Sequence, residues 1–168
     1  MIIKGSWITL RPYTLEYCHE FYREYAADPA MWEQGYSYDK KSVNLFYQSK
    51  VLDESRRFFA ICLDEKIIGE IQLKYIDFDK GCATLSLHFS SDAYKNRGYG
   101  TEAIGLMTGF AFHTLGLRTV YADCVHRNTR SQHVLEKSGF VFSHEVSCCG
   151  TIHYQIISRR IPYDTPGP

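Results

Sequence analysis

The sequence predicts one α/β (mixed α+β) domain: a central mixed, mostly antiparallel sheet of about seven strands, flanked by about four helices. Three observations carry that expectation. Apolar residues recur at three-to-four spacing in separate segments, the mark of amphipathic helices. Short β-branched and aromatic runs bounded by Asp, Lys and Gly turns mark strands, paired as a hairpin in the middle of the chain. Later, strand and helix alternate before a closing hairpin, so a parallel unit joins the antiparallel meander.

In chain order, Ile8-Thr9-Leu10-Arg11-Pro12 reads as a short strand closed by proline. Thr14 through Ala27 places Leu15, Cys18, Phe21, Tyr22 and Tyr25 at helical spacing, and Asp28-Pro29 stops that helix. Residues 30–40 form an aromatic-rich loop with Met31, Trp32, Tyr36 and Tyr38. Lys41 to Glu54 is a second helix. Phe58 to Leu63 and Ile67 to Leu73 pair about the turn Asp64-Glu65-Lys66, and Phe78-Asp79-Lys80-Gly81 leads to a strand over Cys82 to Phe89. A polar loop from Ser90 to Arg97 passes through Gly98-Tyr99-Gly100 into a long helix reaching Thr114 and ended by Gly116. Val120 to Val125 is a strand and Thr129 to Ser138 a helix ended by Gly139. Phe140 to Val146 and Thr151 to Ser158 form the closing hairpin. No repeat or linker divides the chain, so residues 1–161 are expected as one domain and 162–168 as a flexible tail.

Lys plus Arg number 19 and Asp plus Glu number 19, for a formal net charge of zero. That balance disfavours a protein that coats nucleic acid or an anionic membrane. No apolar run reaches the roughly 18 residues of a spanning helix. Met1 to Trp7 lacks the basic-then-apolar pattern of a secretory leader, so a cytoplasmic protein is expected. There the cysteines are thiols rather than a disulfide framework, and Cys62, Cys82 and Cys124 read as small strand hydrophobes. His144, Cys148, Cys149 and His153 form the one cluster to weigh as a metal site. Adjacent cysteines fit neither common ligand spacing, so no metal is expected and Cys148-Cys149 reads as a hairpin turn.

The most informative segment is Lys95-Asn96-Arg97-Gly98-Tyr99-Gly100-Thr101-Glu102-Ala103. Two glycines between a strand and a helix let the backbone turn sharply and approach a ligand. Successive N–H groups opening the helix make an anion site suited to a phosphate or pyrophosphate. A Walker loop would need Gly-Lys-Ser/Thr, but Thr101-Glu102 follows Gly100. Gly98, Gly100 and Ala103 satisfy a dinucleotide fingerprint on paper, with Asp123 downstream. The long gap from Phe89 and the position of Asp123 inside a strand count against it.

Lys95 to Ala103, together with Asn128-Thr129-Arg130-Ser131 and Leu135-Glu136-Lys137-Ser138-Gly139-Phe140, resembles the GNAT superfamily of N-acetyltransferases. The chain is most similar to the branch of ribosomal-protein N-terminal (alanine/serine) acetyltransferases, and the resembling segments run from Ile8 to the last strand. The resemblance implies the acyl-CoA N-acyltransferase fold, its sheet splayed in the middle, with acetyl-CoA as co-substrate. It implies that Lys95, Asn96, Arg97, Gly98, Tyr99, Gly100 and Thr101 hold the pyrophosphate, and that Leu87, His88 and Phe89 offer backbone groups to pantetheine. It further implies that Asn128 contacts the pantetheine arm or nearby backbone, besides capping its helix, and that Arg130 approaches the 3′-phosphate. Lys95 stands where the family has Gln or Arg, which keeps the charge and loses the planar multi-donor head. Leu135 stands where many relatives carry a thiolate-protonating Tyr. Ser131, matching a serine of the similar branch, is then the expected partner of the thiol or thiolate.

An alkyl amine with a pKa near 10 is only about 0.1% free base at pH 7, a barrier of about 4 kcal/mol that a general base reduces. Glu70, which interrupts an apolar strand, and His88, on the next strand, are the candidates. Trp32, Tyr36, Tyr38 and Tyr154 are expected to wall an acceptor pocket, and the absence of an acidic run there disfavours a polycationic acceptor. The expected function is acetyl-CoA-dependent N-acetylation of a primary amine, either a protein or peptide N-terminus or a small metabolite, by direct transfer in a ternary complex. The alternative is a catalytically weak acyl-CoA-binding regulatory module. No nucleic acid or membrane partner is expected, and a homodimer stays open.

Overall fold

The sheet is built from β1 (Ile3–Lys4), β2 (Thr9–Pro12), β3 (Arg57–Leu63), β4 (Lys66–Asp77), β5 (Cys82–Phe89), β6 (Thr119–Val125), β7 (Val141–Val146) and β8 (Thr151–Ile157). Their spatial order is β1-β2-β3-β4-β5-β6-β8-β7. The helices are α1 (Leu15–Glu24), α2 (Lys40–Phe46), α3 (Tyr99–Gly109) and α4 (Thr129–Lys137). This computed structural model describes residues 1–28, 34–125, 128–146 and 151–157. Trp32, the Cys148-Cys149 turn and the 162–168 tail lie outside the described residues.

The predicted class, mixed sheet and four helices stand. Local chemistry moves some boundaries. Thr14 caps α1 by accepting the Tyr17 N–H at 3.2 Å. The helix ends at Glu24 instead of reaching Ala27, because the chain straightens at Tyr25 and the Ala26 N–H bonds the Ser90 carbonyl at 2.8 Å. Asp39 caps α2 through the Ser42 N–H at 2.8 Å. Both α2 and α3 continue as a single wider π-type turn, Tyr47–Val51 and Phe110–Thr114. β1 is an addition, and β4 runs past Leu73 to Asp77.

Two cores sandwich the sheet. Ile61, Ile68, Ile71 and Leu73 pack with Ile104, Met107 and Phe110 of the α3 segment. On the other face Phe58, Ala60, Cys62 and Ile67 meet Cys18 and Phe21 of α1 and Val43 of α2. A bulge between Ile61 and Cys62 separates the β3–β4 pairings Ile61↔Gly69 and Cys62↔Ile67, leaving Ile68 as the extra residue. Gly69 is required there, since a Cβ would lie 2.8 Å from the His88 carbonyl oxygen.

β5 and β6 are the one parallel pair among the described strands. They stay in register only from Cys82↔Thr119 to Leu85↔Ala122, while the β4 side of β5 remains paired as far as Phe89. Beyond Leu85 the sheet opens. The first turn of α3 is clasped to the start of the chain. The Glu102 carboxylate accepts N–H groups of Ser6, Trp7 (3.1 Å) and Ile8 (3.0 Å). A Cβ on Gly5 would fall 2.7 Å from the Glu102 carboxyl carbon.

Candidate active site

Where β5 and β6 part, a cleft of about 600 Å³ opens between Leu85–Phe89, Ala122–Cys124 and the starts of α3 and α4. Asn96 (φ 59) and Gly98 (φ 84) both take the left-handed conformation, which swings the chain into α3. Gly98 is the helix N-cap and offers no side chain to cap it. The first intrahelical bond closes at the Glu102 N–H to the Gly98 carbonyl, 3.0 Å. The preceding N–H groups therefore have no helical acceptor and carry the positive end of the helix dipole. Gly100 lines the cleft, and a Cβ there would meet Phe89, Val134 and Leu87 at 3.5–3.6 Å, ordinary contact.

Two of the cleft's cations are grouped by one carboxylate. Asp92 lies 2.7 Å from the Lys95 ammonium and 3.4 Å from the Arg130 guanidinium, and these contacts, Lys95 foremost, hold its pKa below the usual range. Lys95 also reaches Asp28 at 3.4 Å. Lys95, Asn96, Gly98, Gly100, Thr101, Asn128, Arg130 and Ser131 all line the cleft with Leu87, His88 and Phe89. Arg97 and Tyr99 do not. The Arg97 guanidinium donates to the Ala93 carbonyl at 2.8 Å, and Tyr99 packs against the main core. The Asn128 side-chain oxygen Oδ1 accepts the Ser131 N–H at 3.1 Å, so the helix-capping role is realised. Cys124 also lines the cleft, with its thiol pushed up to about 11 by burial and then by Asp123 and Glu136.

Past His88 the cleft adjoins a cavity of about 100 Å³ bounded by Phe21, Tyr22, Tyr25, Glu70 and His88. Glu70 pairs with Ala60 on one side and His88 on the other; its side chain meets Tyr22 of α1, and the residue is only 4% exposed. One carboxylate oxygen accepts the Tyr13 hydroxyl at 2.7 Å and the other the Tyr22 hydroxyl at 3.2 Å. Burial pushes Glu70 up to about 7 against the opposing pull of those two hydrogen bonds. His88 Nδ1 lies 3.8 Å from Glu70 Oε1, beyond hydrogen-bond reach, with about half its side chain open to solvent. Desolvation of the ring, then Lys74 and Lys95, push the His88 pKa down, which favours neutral imidazole.

Of the aromatics expected around an acceptor pocket, the three among the described residues separate. Tyr36 stands over Tyr22 and Tyr25 with ring centroids 5.5 and 5.2 Å away, beside the cavity. Tyr38 instead bonds His19 Nδ1 at 2.9 Å beneath the Arg23 guanidinium and ties its loop to α1. Tyr154 is 2% exposed in the core on the α3–α4 face, the opposite side of the sheet from Glu70, and its hydroxyl donates to Glu136 at 3.3 Å. Missed by the sequence reading were Tyr13, Tyr22, Phe21 and Tyr25 as site residues. A helical stripe mixing Phe with Tyr was the available signal, because a buried phenol needs a polar partner and a strand glutamate supplies one. Among the described residues no group of three or more His, Cys, Asp or Glu could hold a metal ion. No described helix is long and apolar enough to cross a membrane.

The strand order, the parallel pair that parts above Leu85 and the uncapped glycine turn define the acyl-CoA N-acyltransferase class of fold. Residues 8–141 match the acetyltransferase (GNAT) domain family, and the chain belongs to that family. A stretch of 96 residues is 32% identical to YjcK of Bacillus subtilis strain 168, named as a probable N-acetyltransferase, covering 56% of this chain and 53% of that protein. The chain thus matches about half the length of that relative. Among solved structures, a Vibrio cholerae protein proposed to be a ribosomal-protein-serine acetyltransferase superposes with a TM-score of 0.77 at 18% identity, over 94% of this chain and 98% of that one. The microcin C7 self-immunity acetyltransferase MccE, in complex with acetyl-CoA and AMP, superposes with a TM-score of 0.74 at 17% identity, over 92% and 94% of the two chains. Both likenesses are of fold.

Proposed function

We propose that the chain acetylates a primary amine, with acetyl-CoA as donor, by direct transfer between two substrates bound together. The observation that carries this is a carboxylate buried at a small cavity that adjoins the cleft and pushed up to about 7, where it can take a proton at neutral pH.

The cleft residues fit the coenzyme. The uncapped α3 N-terminus suits a pyrophosphate, Gly100 keeps the wall low, and Lys95 and Arg130 supply cations. Acetyl-CoA supplies a thioester: its C–S bond breaks as the C–N bond forms, the ammonium losing two protons overall and the departing sulfur gaining one. Glu70 takes the first proton from the ammonium and is held in place by the Tyr13 and Tyr22 hydroxyls. Neutral His88, 3.8 Å from Glu70 and half open to solvent, takes that proton outward by way of a water between the two side chains. On the β6 side of β5, where pairing ends at Leu85, the backbone of Ser86–Phe89 offers donors beside the reacting carbonyl, and Ser131 partners the sulfur. Cys124 serves only as wall, since a thiol near 11 is almost wholly protonated at neutral pH.

The replacement of the customary tyrosine by Leu135, 6% exposed, favours a second reading in which coenzyme binds without turnover. One experiment separates them: calorimetric titration with acetyl-CoA beside thiol release and mass detection of acetylated product across a panel of primary amines. Binding with amine-dependent thiol release is expected; binding with none would select the second reading.

A further inference from the structure

We propose that the acceptor is a primary alkylamine with apolar carbons next to its nitrogen, rather than the α-amine of a protein or peptide; this rests on Glu70 acting as the proton acceptor. The cavity in front of Glu70 has about 100 Å³, room for roughly three or four non-hydrogen atoms at about 30 Å³ each. That is a nitrogen and a short unbranched carbon stem.

The walls decide what those atoms are. Among the described residues, Phe21, Tyr22 and Tyr25 present ring carbon, and the polar groups at the cavity are Glu70, His88 and phenol hydroxyls. The Tyr22 hydroxyl donates to one Glu70 oxygen and the Tyr13 hydroxyl to the other. An ammonium suits this place. It brings donors only, it neutralises the one carboxylate, and aromatic faces attract its charge. A peptide α-amine carries a side-chain branch on the next carbon and a carbonyl and amide N–H just beyond. Among the described residues only the Tyr25 hydroxyl and the His88 ring are left to partner those groups, fewer than a peptide backbone needs, and each buried polar group left unpaired weakens binding about five- to 150-fold. Outward, the edge-to-face and tilted rings of Tyr22, Tyr25 and Tyr36 extend the aromatic wall, with Tyr36 39% exposed. An apolar or aryl tail therefore has surface to follow the stem.

The test compares kcat/KM at saturating acetyl-CoA for n-butylamine and 2-phenylethylamine against tetrapeptides beginning with Ser or Ala. Alkylamines are expected to lead by at least about tenfold. Peptides equal or better would overturn the alkylamine assignment while leaving acetyl transfer to amines intact. No turnover with either class would overturn both. Tyr25→Ala removes a wall without touching a hydrogen bond of Glu70 and is expected to narrow the preference. An unchanged ratio in that variant, with normal folding, would take the cavity out of acceptor selection.

Discussion

Replacing Glu70 by Gln should cost activity and raise stability at once. Carrying a carboxyl from its ordinary 4.5 to about 7 makes the ionised form cost the fold about 3 kcal/mol. Gln keeps an oxygen for the Tyr13 or Tyr22 hydroxyl and carries no charge into the 4%-exposed site. Above about pH 7 the variant should gain roughly 1–3 kcal/mol, a rise of about 3–10 °C in melting temperature for a chain of this size. Below about pH 4.5 the carboxyl is protonated in folded and unfolded chains alike, and the gain vanishes. Between those values it grows with pH, because the unfolded chain ionises first. Activity moves the other way. Wild-type kcat/KM should fall as pH drops through about 7, whereas the variant loses that limb and about 10²–10⁴ of the rate at pH 8. Thermal melts and pH–rate profiles on the same preparations provide both readouts. A variant that retains nearly full activity, or melts lower than wild type at pH 8, would refute the reasoning.

Three further outcomes follow from the cleft. Gly100→Leu should weaken coenzyme binding by at least about thirtyfold in calorimetry with an unchanged melting temperature, since the Cβ makes only ordinary contacts and the added carbons enter the cleft. Asp92→Asn should tighten coenzyme binding several-fold at low salt and steepen its salt dependence, by releasing Lys95 and Arg130 from their shared carboxylate. Weaker binding would make Asp92 an organiser of the loop instead. Cys124→Ser should keep steady-state activity within about threefold, whereas a hundredfold loss would revive an acyl-enzyme route through that thiol.

The glycine turn was legible because its chemistry is local. A left-handed Gly98, an uncapped helix start and a preceding strand are properties of a dozen consecutive residues. The order of strands and helices was legible for the same reason. Glu70 could be placed on its strand, yet its burial could not be read. That burial depends on Ala60 across the β3 pairing and on two hydroxyls 48 and 57 residues away in sequence. Tyr38 and Tyr154 show the converse. An aromatic in a loop or a terminal strand looks available to a ligand until its hydroxyl finds His19 or Glu136. The alternation of β4 itself carried the side of the sheet, but the Ile68 bulge shifts that alternation by one residue, a change the apolar run does not disclose.

The clasp of Glu102 on the backbone of Ser6, Trp7 and Ile8 resolves a conflict of charge. An acid in the first turn of a helix favours that helix, but beside the proposed diphosphate site it would repel the guest. Folding its carboxylate away into neighbouring peptide hydrogens lets the chain keep the first benefit and avoid the second. Gly5 is what allows that approach, so a side chain at position 5 should be tolerated better when residue 102 is shortened.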